Sequence, residues 1–473
     1  MQVIRIFVIT NIKLRTRIWP SPLPATPMST PSTIEAFLTQ HRIHEVECVI
    51  PDMTGIARGK ILPRDLFLAA GEMRIPKSVL LNTVNGQQPD NGPYVGDTDP
   101  DMVCLPDVST VRVVPWAAEP VAVVIHDCQE WDGSPVQISP RGVLRRVLKL
   151  YEARGWTPVV APEMEFYLVA RQQNPHEPLQ PPLGRSGKPE AGRQSYSIDA
   201  VNDFDPFFME LSSFCQQHNL GVETLIHEAG PGQMEINFSH GNALDLADRV
   251  FLFKRTVRET ALRHGIFATF MAKPMEQEPG SAMHIHQSIL DAKGHNIFSL
   301  PDGSASPLFG QCIAGLQAYI PQLMPMFAPY VNSYRRLSPF MSAPINVRWG
   351  HDNRTCGIRI PKSSPANRRI ENRVPGVDVN PYLAMAATLA CCYLGMTQGL
   401  TPSAPTTDSA WNVSHELPRH LEDAIASMRS CEPMREVLGA GFVDAFCAVK
   451  ELEYATYNRV ISSWEREHLL LLV

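Results

Sequence analysis

The sequence lacks the features that mark membrane, secreted or nucleic-acid-coating proteins. No apolar run approaches the roughly 18–20 residues that span a bilayer, and the longest candidate, residues 384–396, is short and rich in Ala and Cys. None of the ten cysteines forms a C-x-x-C pair, which in a chain of 473 residues predicts buried, reduced thiols in the cytoplasm. Positive charge is not in excess, because 42 Lys and Arg against 48 Asp and Glu give a net charge of −6. We therefore expect neither a membrane nor a nucleic acid as a partner.

Acidic residues are absent from residues 1–34, which contain four basic ones. Most of these follow the apolar patch at 3–10 instead of preceding it, which disfavours a secretory signal and leaves a transit peptide as the alternative. Met28 opens a more ordinary protein start. We predict that residues 1–27 are an extension outside the fold.

Apolar residues make up 44% of the chain, enough for a large core. Predicted strands are scattered between predicted helices without a βαβ rhythm, which favours an α+β fold over a doubly wound sheet. A turn signal at 52–55 predicts a β-hairpin within 43–62. A boundary near 132–134 predicts a small N-terminal domain, 28–134, and a larger domain, 135–473.

Helical periodicity and helix-start signals predict six helices outside the N-terminal domain. The first begins at Ser139-Pro140, and the others cover 205–217, 245–264, 380–400, 417–430 and 441–461. Residues 172–194 are poor in apolar residues and rich in Pro, Gln and Gly, which predicts a mobile insertion.

Two pairs of glutamates lie where strand geometry brings them to one face. Alternation along the predicted strand 161–169 places Glu163 and Glu165 on the same face. Glu228 and Glu235 flank a Gly-Pro-Gly turn that can fold both onto one site. Neighbouring carboxylates repel each other unless a cation lies between them, so the alternatives are a solvated strand face and a surface hairpin.

Histidines and arginines of the C-terminal half supply the remaining candidates. His284, His286 and Ser288 alternate on one face of a predicted strand, which suits a metal or a phosphate. Arginines interleaved with apolar residues follow, and half-buried strands would turn their guanidinium groups, with Glu371, toward a cleft. A charged surface is the alternative for any single arginine. The series consists of Arg335, Arg336, Arg348, Arg354, Arg359, Arg368, Arg369 and Arg373.

Together these residues make a site rich in carboxylate oxygens and arginines, with few thiolate ligands. Carboxylates with a histidine suit Mg²⁺ or Mn²⁺ better than structural zinc. Arginines beside such cations neutralise a transferring phosphoryl group. The residues alone predict an enzyme that uses ATP and Mg²⁺, and they leave its substrate open.

The order of the motifs resembles the glutamine synthetase family from about residue 44 to residue 470. The motifs, in chain order, are Asp52-x-x-Gly55 with Arg58-Gly-Lys60, Asp97-Thr-Asp99, Pro106-Asp107, Pro115-Trp116, Pro162-Glu-Met-Glu165, Glu228 to Glu235, Lys273-Pro274, His284-x-His286-x-Ser288, Asn332 to Leu337, Ala343-Pro344, Asn353-Arg354, Ile358 to Pro361, Arg369 to Arg373 and Asn380 to Leu383. The resemblance implies a β-grasp-like N-terminal domain and a catalytic domain built on a curved antiparallel sheet. It also implies a homo-oligomer, often a dodecamer of two hexameric rings, whose active sites are shared between adjacent subunits.

The resemblance implies a role for each candidate residue. One metal would be held by Glu165, Glu228 and Glu235, and the other by Glu163, His284 and Glu371. ATP would be contacted by Glu223, His286, Ser288, Arg359 and Arg369. The glutamate and the transferring phosphoryl group would be faced by Arg336, Arg354 and Arg373, with Gly280 against the amino-acid substrate. Asp52 would reach into the site of the neighbouring subunit.

The chemistry that the resemblance implies has two steps. ATP phosphorylates the γ-carboxylate of L-glutamate, and a neutral amine then attacks the γ-glutamyl phosphate and releases phosphate. Ammonia-using members carry a Glu before the Ala-Pro of the closing flap and an Asn before the Gly of the Gly-Ser-x-Met-His stretch. This chain has Ser342 and Pro279 there.

These departures resemble the glutamylpolyamine synthetase branch, which joins glutamate to an organic amine such as putrescine. A small Ser342 leaves room for an alkyl chain beyond the attacking nitrogen. We therefore predict a glutamate–amine ligase that acts on a polyamine or a related monoamine. The alternatives are a glutamine synthetase that uses ammonia and, in another class, a non-catalytic structural or regulatory relative, which should have lost metal ligands.

Overall fold

The computed structural model describes residues 31–339 and 342–473. The predicted extension, residues 1–27, lies outside the described residues. Within the described ranges the chain forms fifteen β-strands in two sheets and fifteen α-helices.

The first sheet is built from the N-terminal part of the chain. Its strands are β1 (Glu45–Pro51), β2 (Ala57–Pro63), β3 (Met73–Pro76), β4 (Asp101–Pro106), β5 (Arg112–Val113) and β6 (Val121–Gln129). The spatial order is β2-β1-β6-β4-β3, with β5 paired to β6. β1 and β2 pair antiparallel across residues 52–55, which confirms the predicted hairpin.

The second sheet is larger and carries the candidate residues. Its strands are β7 (Thr157–Ala170), β8 (Val222–His227), β9 (Gln233–Phe238), β10 (Gly241–Asn242), β11 (Ile266–Thr269), β12 (Met283–Leu290), β13 (Trp349–His351), β14 (Ile358–Ile360) and β15 (Ile370–Asn372). The order is β13-β14-β15-β12-β7-β9-β8, with β10 and β11 also paired to β7. β7 is the longest strand and lies at the centre of the arrangement, so it positions the strands on both sides.

Helices cover the two sheets. They are α1 (Pro31–Gln40), α2 (Arg64–Ala70), α3 (Gly92–Val95), α4 (Pro140–Glu152), α5 (Ile198–Asp203), α6 (Asp205–Gln217), α7 (Ala243–Arg263), α8 (Pro307–Tyr319), α9 (Met324–Phe327), α10 (Val331–Arg336), α11 (Pro381–Gln398), α12 (Leu421–Ser430), α13 (Glu432–Leu438), α14 (Ala440–Tyr457) and α15 (Ser463–His468). All six predicted helices are present, and their ends agree to within a few residues. No helix in the two described ranges is both long and apolar enough to span a bilayer.

Helix α8 was not predicted, and its glycines explain why. Glycine lowers helix propensity, yet here it lets α8 pack closely on the buried helix α11. A Cβ atom added to Gly315 would lie 2.1 Å from the carbonyl oxygen of Cys391 and 2.8 Å from the Cα atom of Gly395. The tertiary contact therefore requires the residue that weakens the local helical signal. The ten cysteines are buried and free, as predicted.

Candidate active site

The pairing register of the large sheet brings the predicted acidic residues together. Glu163 on β7 lies opposite His284 on β12, and Glu165 lies opposite Glu235 on β9. Residues directly opposite each other in an antiparallel pair share one face of the sheet. Strand β15 pairs with β12 and adds Glu371 to the same face.

Two groups of potential metal ligands result, and each has its ligand atoms within 4.8 Å of one another. The groups are Glu163, His284 and Glu371, and Glu165, Glu235 and His284. The first is one of the two sets that the family resemblance implies. The second contains two of the three glutamates of the other set, while Glu228 lines the same cavity.

The charge distribution fits a cation beside Glu165 and Glu235. Burial, with the neighbouring charge of Glu228, raises the pKa of Glu165 to about 8. Burial, with the charge of Glu163, raises the pKa of Glu235 to about 9, and burial also raises the pKa of Glu228. Burial, and after it mutual repulsion, makes these carboxylates resist ionisation, and a divalent ion between them would stabilise their charged forms. The oxygen-rich donor set with one imidazole suits Mg²⁺ or Mn²⁺.

The group of Glu163, His284 and Glu371 is already partly neutralised by positive side chains. Burial disfavours the charged form of Glu371, but Arg373 and His284 outweigh it and hold the pKa of Glu371 below its usual value. Arg359 Nη1 lies 2.8 Å from Oε2 of Glu371, and Arg373 Nη1 lies 2.5 Å from Oε1. Nδ1 of His284 lies 3.0 Å from Oε2 of Glu163.

The five predicted ATP-contacting residues line one cavity of about 600 Å³. They are Glu223, His286, Ser288, Arg359 and Arg369. Nε of Arg369 donates to Nδ1 of His286 at 3.3 Å, and Nε2 of His286 lies 2.8 Å from Oε1 of Glu163. These two contacts link the cavity to the acidic cluster. The acidic cluster consists of the predicted metal ligands Glu163, Glu165, Glu228, Glu235, His284 and Glu371.

A second cavity of about 310 Å³ is lined by five of the six predicted metal ligands, all but Glu371, and by five further predicted residues. Besides the glutamates and His284, its lining includes Gly280, Arg336, Ser342, Arg354 and Arg373. Both cavities are lined by Glu163, Asn237 and Arg359, so they meet at these three side chains. A phosphoryl group bound in the first cavity would face an acceptor bound in the second.

Arg336 is fixed from behind by backbone carbonyls. Its Nη1 donates to the oxygen of Val374 at 2.8 Å and its Nη2 to the oxygen of Arg373 at 3.1 Å. Burial lowers its pKa to about 10, so it remains charged at neutral pH. A Cβ atom at Gly280 would lie 2.6 Å from Cγ of Arg336 and 2.5 Å from the oxygen of Ala272. Only glycine at position 280 leaves this arginine in place.

The structure does not bring Asp52 to this cluster. Its carboxylate is buried in the β1–β2 turn, where it accepts hydrogen bonds from the backbone of Thr54 and Ile56, each at 2.9 Å. Nε of Arg58 also donates to it at 2.7 Å. A contact with a neighbouring subunit stays a prediction.

Several residues of the cavity were not predicted. Nε2 of Gln233 donates to the carboxylate of Glu165 at 3.3 Å and to the oxygen of Gly280 at 3.1 Å. Alternation along β9 places Gln233, Glu235 and Asn237 on one face. This pattern could have predicted that Gln233 and Asn237 line the cavity beside Glu235. Tyr196 and Trp411 also line the cavity. They lie outside the helices and strands named above, where no periodic signal marks them.

Comparison with known proteins agrees with this geometry. Residues 137–469 match the family described as glutamine synthetase, catalytic domain. The chain is 35% identical over 439 residues to gamma-glutamylputrescine synthetase PuuA of Escherichia coli (strain K12), covering 90% of this chain and 91% of that protein. It is 32% identical over 444 residues to a glutamate–isopropylamine ligase of Pseudomonas sp., covering 91% and 96%.

A solved structure shows the same architecture. A GmaS–ADP complex superposes with a TM-score of 0.79 at 26% identity, covering 94% of this chain and 100% of that one. The predicted α+β class, with a half-barrel catalytic sheet and a second smaller sheet, is confirmed. The family match over most of the chain, together with the sheet that gathers its acidic motifs, shows that the chain belongs to the glutamine synthetase family.

Proposed function

We propose that the protein is an ATP- and divalent-metal-dependent ligase that joins the γ-carboxylate of L-glutamate to an organic amine through γ-glutamyl phosphate. The observation that carries the proposal is Ser342, which lines the cavity of the acidic cluster where ammonia-using members place a glutamate. The names of the two relatives above point to putrescine and isopropylamine as their amines. We therefore assign this chain a polyamine or a related monoamine.

Two metal sites are part of the proposal. The residues that would hold the first cation are Glu165, Glu228 and Glu235, and those for the second are Glu163, His284 and Glu371. Mg²⁺ or Mn²⁺ bound there would supply positive charge to the phosphate oxygens of ATP and to the γ-carboxylate. The two groups of ligand atoms within 4.8 Å support this assignment.

The side chains of the two cavities are proposed to bind different substrates. Those proposed to orient ATP are Glu223, His286, Ser288, Arg359 and Arg369, which line the larger cavity. Those proposed to bind glutamate and stabilise the transferring phosphoryl group are Arg336, Arg354 and Arg373, with Gly280 and Ser342 shaping the cavity. Arginines suit this role because each offers planar, paired donors to carboxylate and phosphate oxygens.

The proposal extends to the assembly. A domain of residues 28–134 would present Asp52 to the site of an adjacent subunit, where its charge would attract a cationic amine, and a domain of residues 135–473 would catalyse the reaction. The separate sheets at 45–129 and 157–372 support this division. We propose a homo-oligomeric ring, with a dodecamer of two hexameric rings as the specific form.

Phosphate release with a panel of amines tests the proposal. With ATP, Mg²⁺ and L-glutamate held constant, we expect turnover with putrescine, longer polyamines or isopropylamine to exceed turnover with ammonium. The assay must show a γ-glutamyl amide as the product by mass spectrometry. Turnover with ammonium that equals or exceeds turnover with every organic amine would identify a glutamine synthetase instead.

Ser342→Glu is expected to shift the enzyme toward ammonium. A carboxylate at this position can bind ammonium, and its larger side chain fills the space that we assign to the alkyl chain. We expect kcat/KM for the best organic amine to fall by about tenfold or more while activity with ammonium rises. Ser213→Glu, on the exposed face of α6 and outside the lining of both cavities, adds the same charge and should change neither value. An unchanged ratio of the two activities in Ser342→Glu would contradict our assignment of this position.

A further inference from the structure

Residues 172–194, which the sequence predicts to be a mobile insertion, carry a nearly buried carboxylate that the proposed reaction does not use. The side chain of Glu190 is only 9% exposed and contacts the β8–β9 hairpin at two points. Its Oε1 lies 3.0 Å from Nε2 of His227, and its Oε2 accepts the backbone N–H of Gly232 at 2.5 Å. His227 precedes the turn that lies between Glu228 and Glu235, and Gly232 is part of that turn.

His227 connects this carboxylate to the backbone of Glu228. The imidazole is fully buried, and its Nδ1 lies 2.7 Å from the backbone oxygen of Glu228. A carbonyl oxygen and an ionised carboxylate both only accept hydrogen bonds, so each ring nitrogen acts as a donor. The ring therefore has an acceptor at each nitrogen, and it cannot turn without losing one of them.

The turn itself is rich in glycine and packs tightly on β7. Gly232 has a φ of +72°, and a Cβ atom there would lie 2.6 Å from the oxygen of Leu168. A Cβ atom at Gly230 would lie 2.0 Å from the hydroxyl oxygen of Tyr167. Glycines permit this close approach, but without contacts from other segments they would leave the turn many alternative conformations. Contacts from outside the turn, such as those of Glu190, reduce that freedom.

We infer that Glu190 is a positioning residue, which acts through His227 and Gly232 to fix the turn that presents Glu228 and Glu235 to the first metal. The inference rests on the proposed function, because it takes these two glutamates as metal ligands. Groups that orient metal ligands commonly change metal affinity by about 10–100-fold when they are removed. The polar segment 172–194 thus supports the metal site through a residue that does not itself contact the metal.

Titration of the full-length protein with Mn²⁺, followed by calorimetry, tests the inference. We expect two binding steps per chain in the unsubstituted protein, and Glu371→Gln removes the step that belongs to Glu163, His284 and Glu371. The step that survives in Glu371→Gln belongs to the first metal. In an otherwise unsubstituted chain, Glu190→Ala should weaken Mn²⁺ binding in that step by about 10–100-fold and change the affinity of the second-metal step by no more than about twofold. Glu190→Gln keeps the shape and one acceptor oxygen, so it should recover part of the affinity. Glu177→Gln, an exposed residue of the same segment, is the matched control.

The outcomes separate the inference from the proposed function. An unsubstituted protein that binds no Mn²⁺ contradicts the proposed function itself. Two normal binding steps in both Glu190 variants, or an equal loss in both steps, contradict the positioning role alone. If Glu190→Ala does not fold, Glu190→Gln decides the question, because its side chain occupies the same volume.

Discussion

Glu371→Gln is expected to lower kcat/KM for ATP-dependent phosphate release by about three orders of magnitude or more. The carboxylate is fully buried, contacts Arg359 and Arg373, and lies 3.9 Å from Nδ1 of His284. The amide would remove a negative charge from between two guanidinium groups and would turn an N–H donor toward one of them. It would also remove one proposed ligand of the second metal. Both losses affect the positions where phosphoryl charge develops.

Steady-state phosphate release over a range of Mg²⁺ concentrations measures this effect. Glu416→Gln is the matched control, because it removes the same charge from a glutamate whose partner, Arg348, has a half-exposed side chain 3.0 Å away. We expect that variant to keep nearly normal activity. A folded Glu371→Gln enzyme that retains more than about a tenth of the activity would contradict the role of Glu371.

The sequence predicted the composition of the site because strand alternation is a local property. Glu163 and Glu165 share a face for the same reason as His284 and His286, and each pair is visible within a few residues. The distances between the pairs depend on the register of β7 with β12, which pairs Glu163 with His284. Register follows from packing of whole strands, so the residues alone could not give it, and the motif order of the family was needed.

Residues that act from loops were not predictable in the same way. Glu190 lies in a polar segment whose composition indicates mobility, and only the tertiary structure shows its buried contacts with the hairpin. Tyr196 lies just after that segment with a φ of +61°, which no local sequence signal predicts. Asp52 shows the reverse case, because the motif is evident but one chain shows only its contacts within its own turn.

Arg141→Met is expected to lower the free energy of unfolding by about 3–5 kcal/mol, the usual cost of removing one partner from a buried ion pair. Arg141 is 1% exposed and bridges Asp127 and Asp107, beside the first sheet, to Asp248 on α7. Its Nη2 lies 2.7 Å from Asp107 and 2.8 Å from Asp248. Without this guanidinium, Asp248 keeps the hydroxyl of Tyr382 at 2.6 Å but loses its compensating charge. The substitution therefore removes an ionic contact between the first sheet and α7 and leaves the buried carboxylate of Asp248 without a partner charge.

Urea midpoints of Arg141→Met and Arg145→Met, measured near neutral pH and below about pH 4, test this explanation. Arg145 contacts Asp107 and Asp127, but its side chain is 39% exposed, so its loss should cost less than about 1 kcal/mol. Burial opposes ionisation of Asp107, yet Arg141 outweighs it and holds the pKa below its usual value. Such a group stabilises the fold above its unfolded pKa of about 4, and this contribution is lost as the pH falls through the folded pKa. The difference between Arg141→Met and the unsubstituted protein should therefore narrow in acid, and a difference that widens would show that the ion pairs are not its cause.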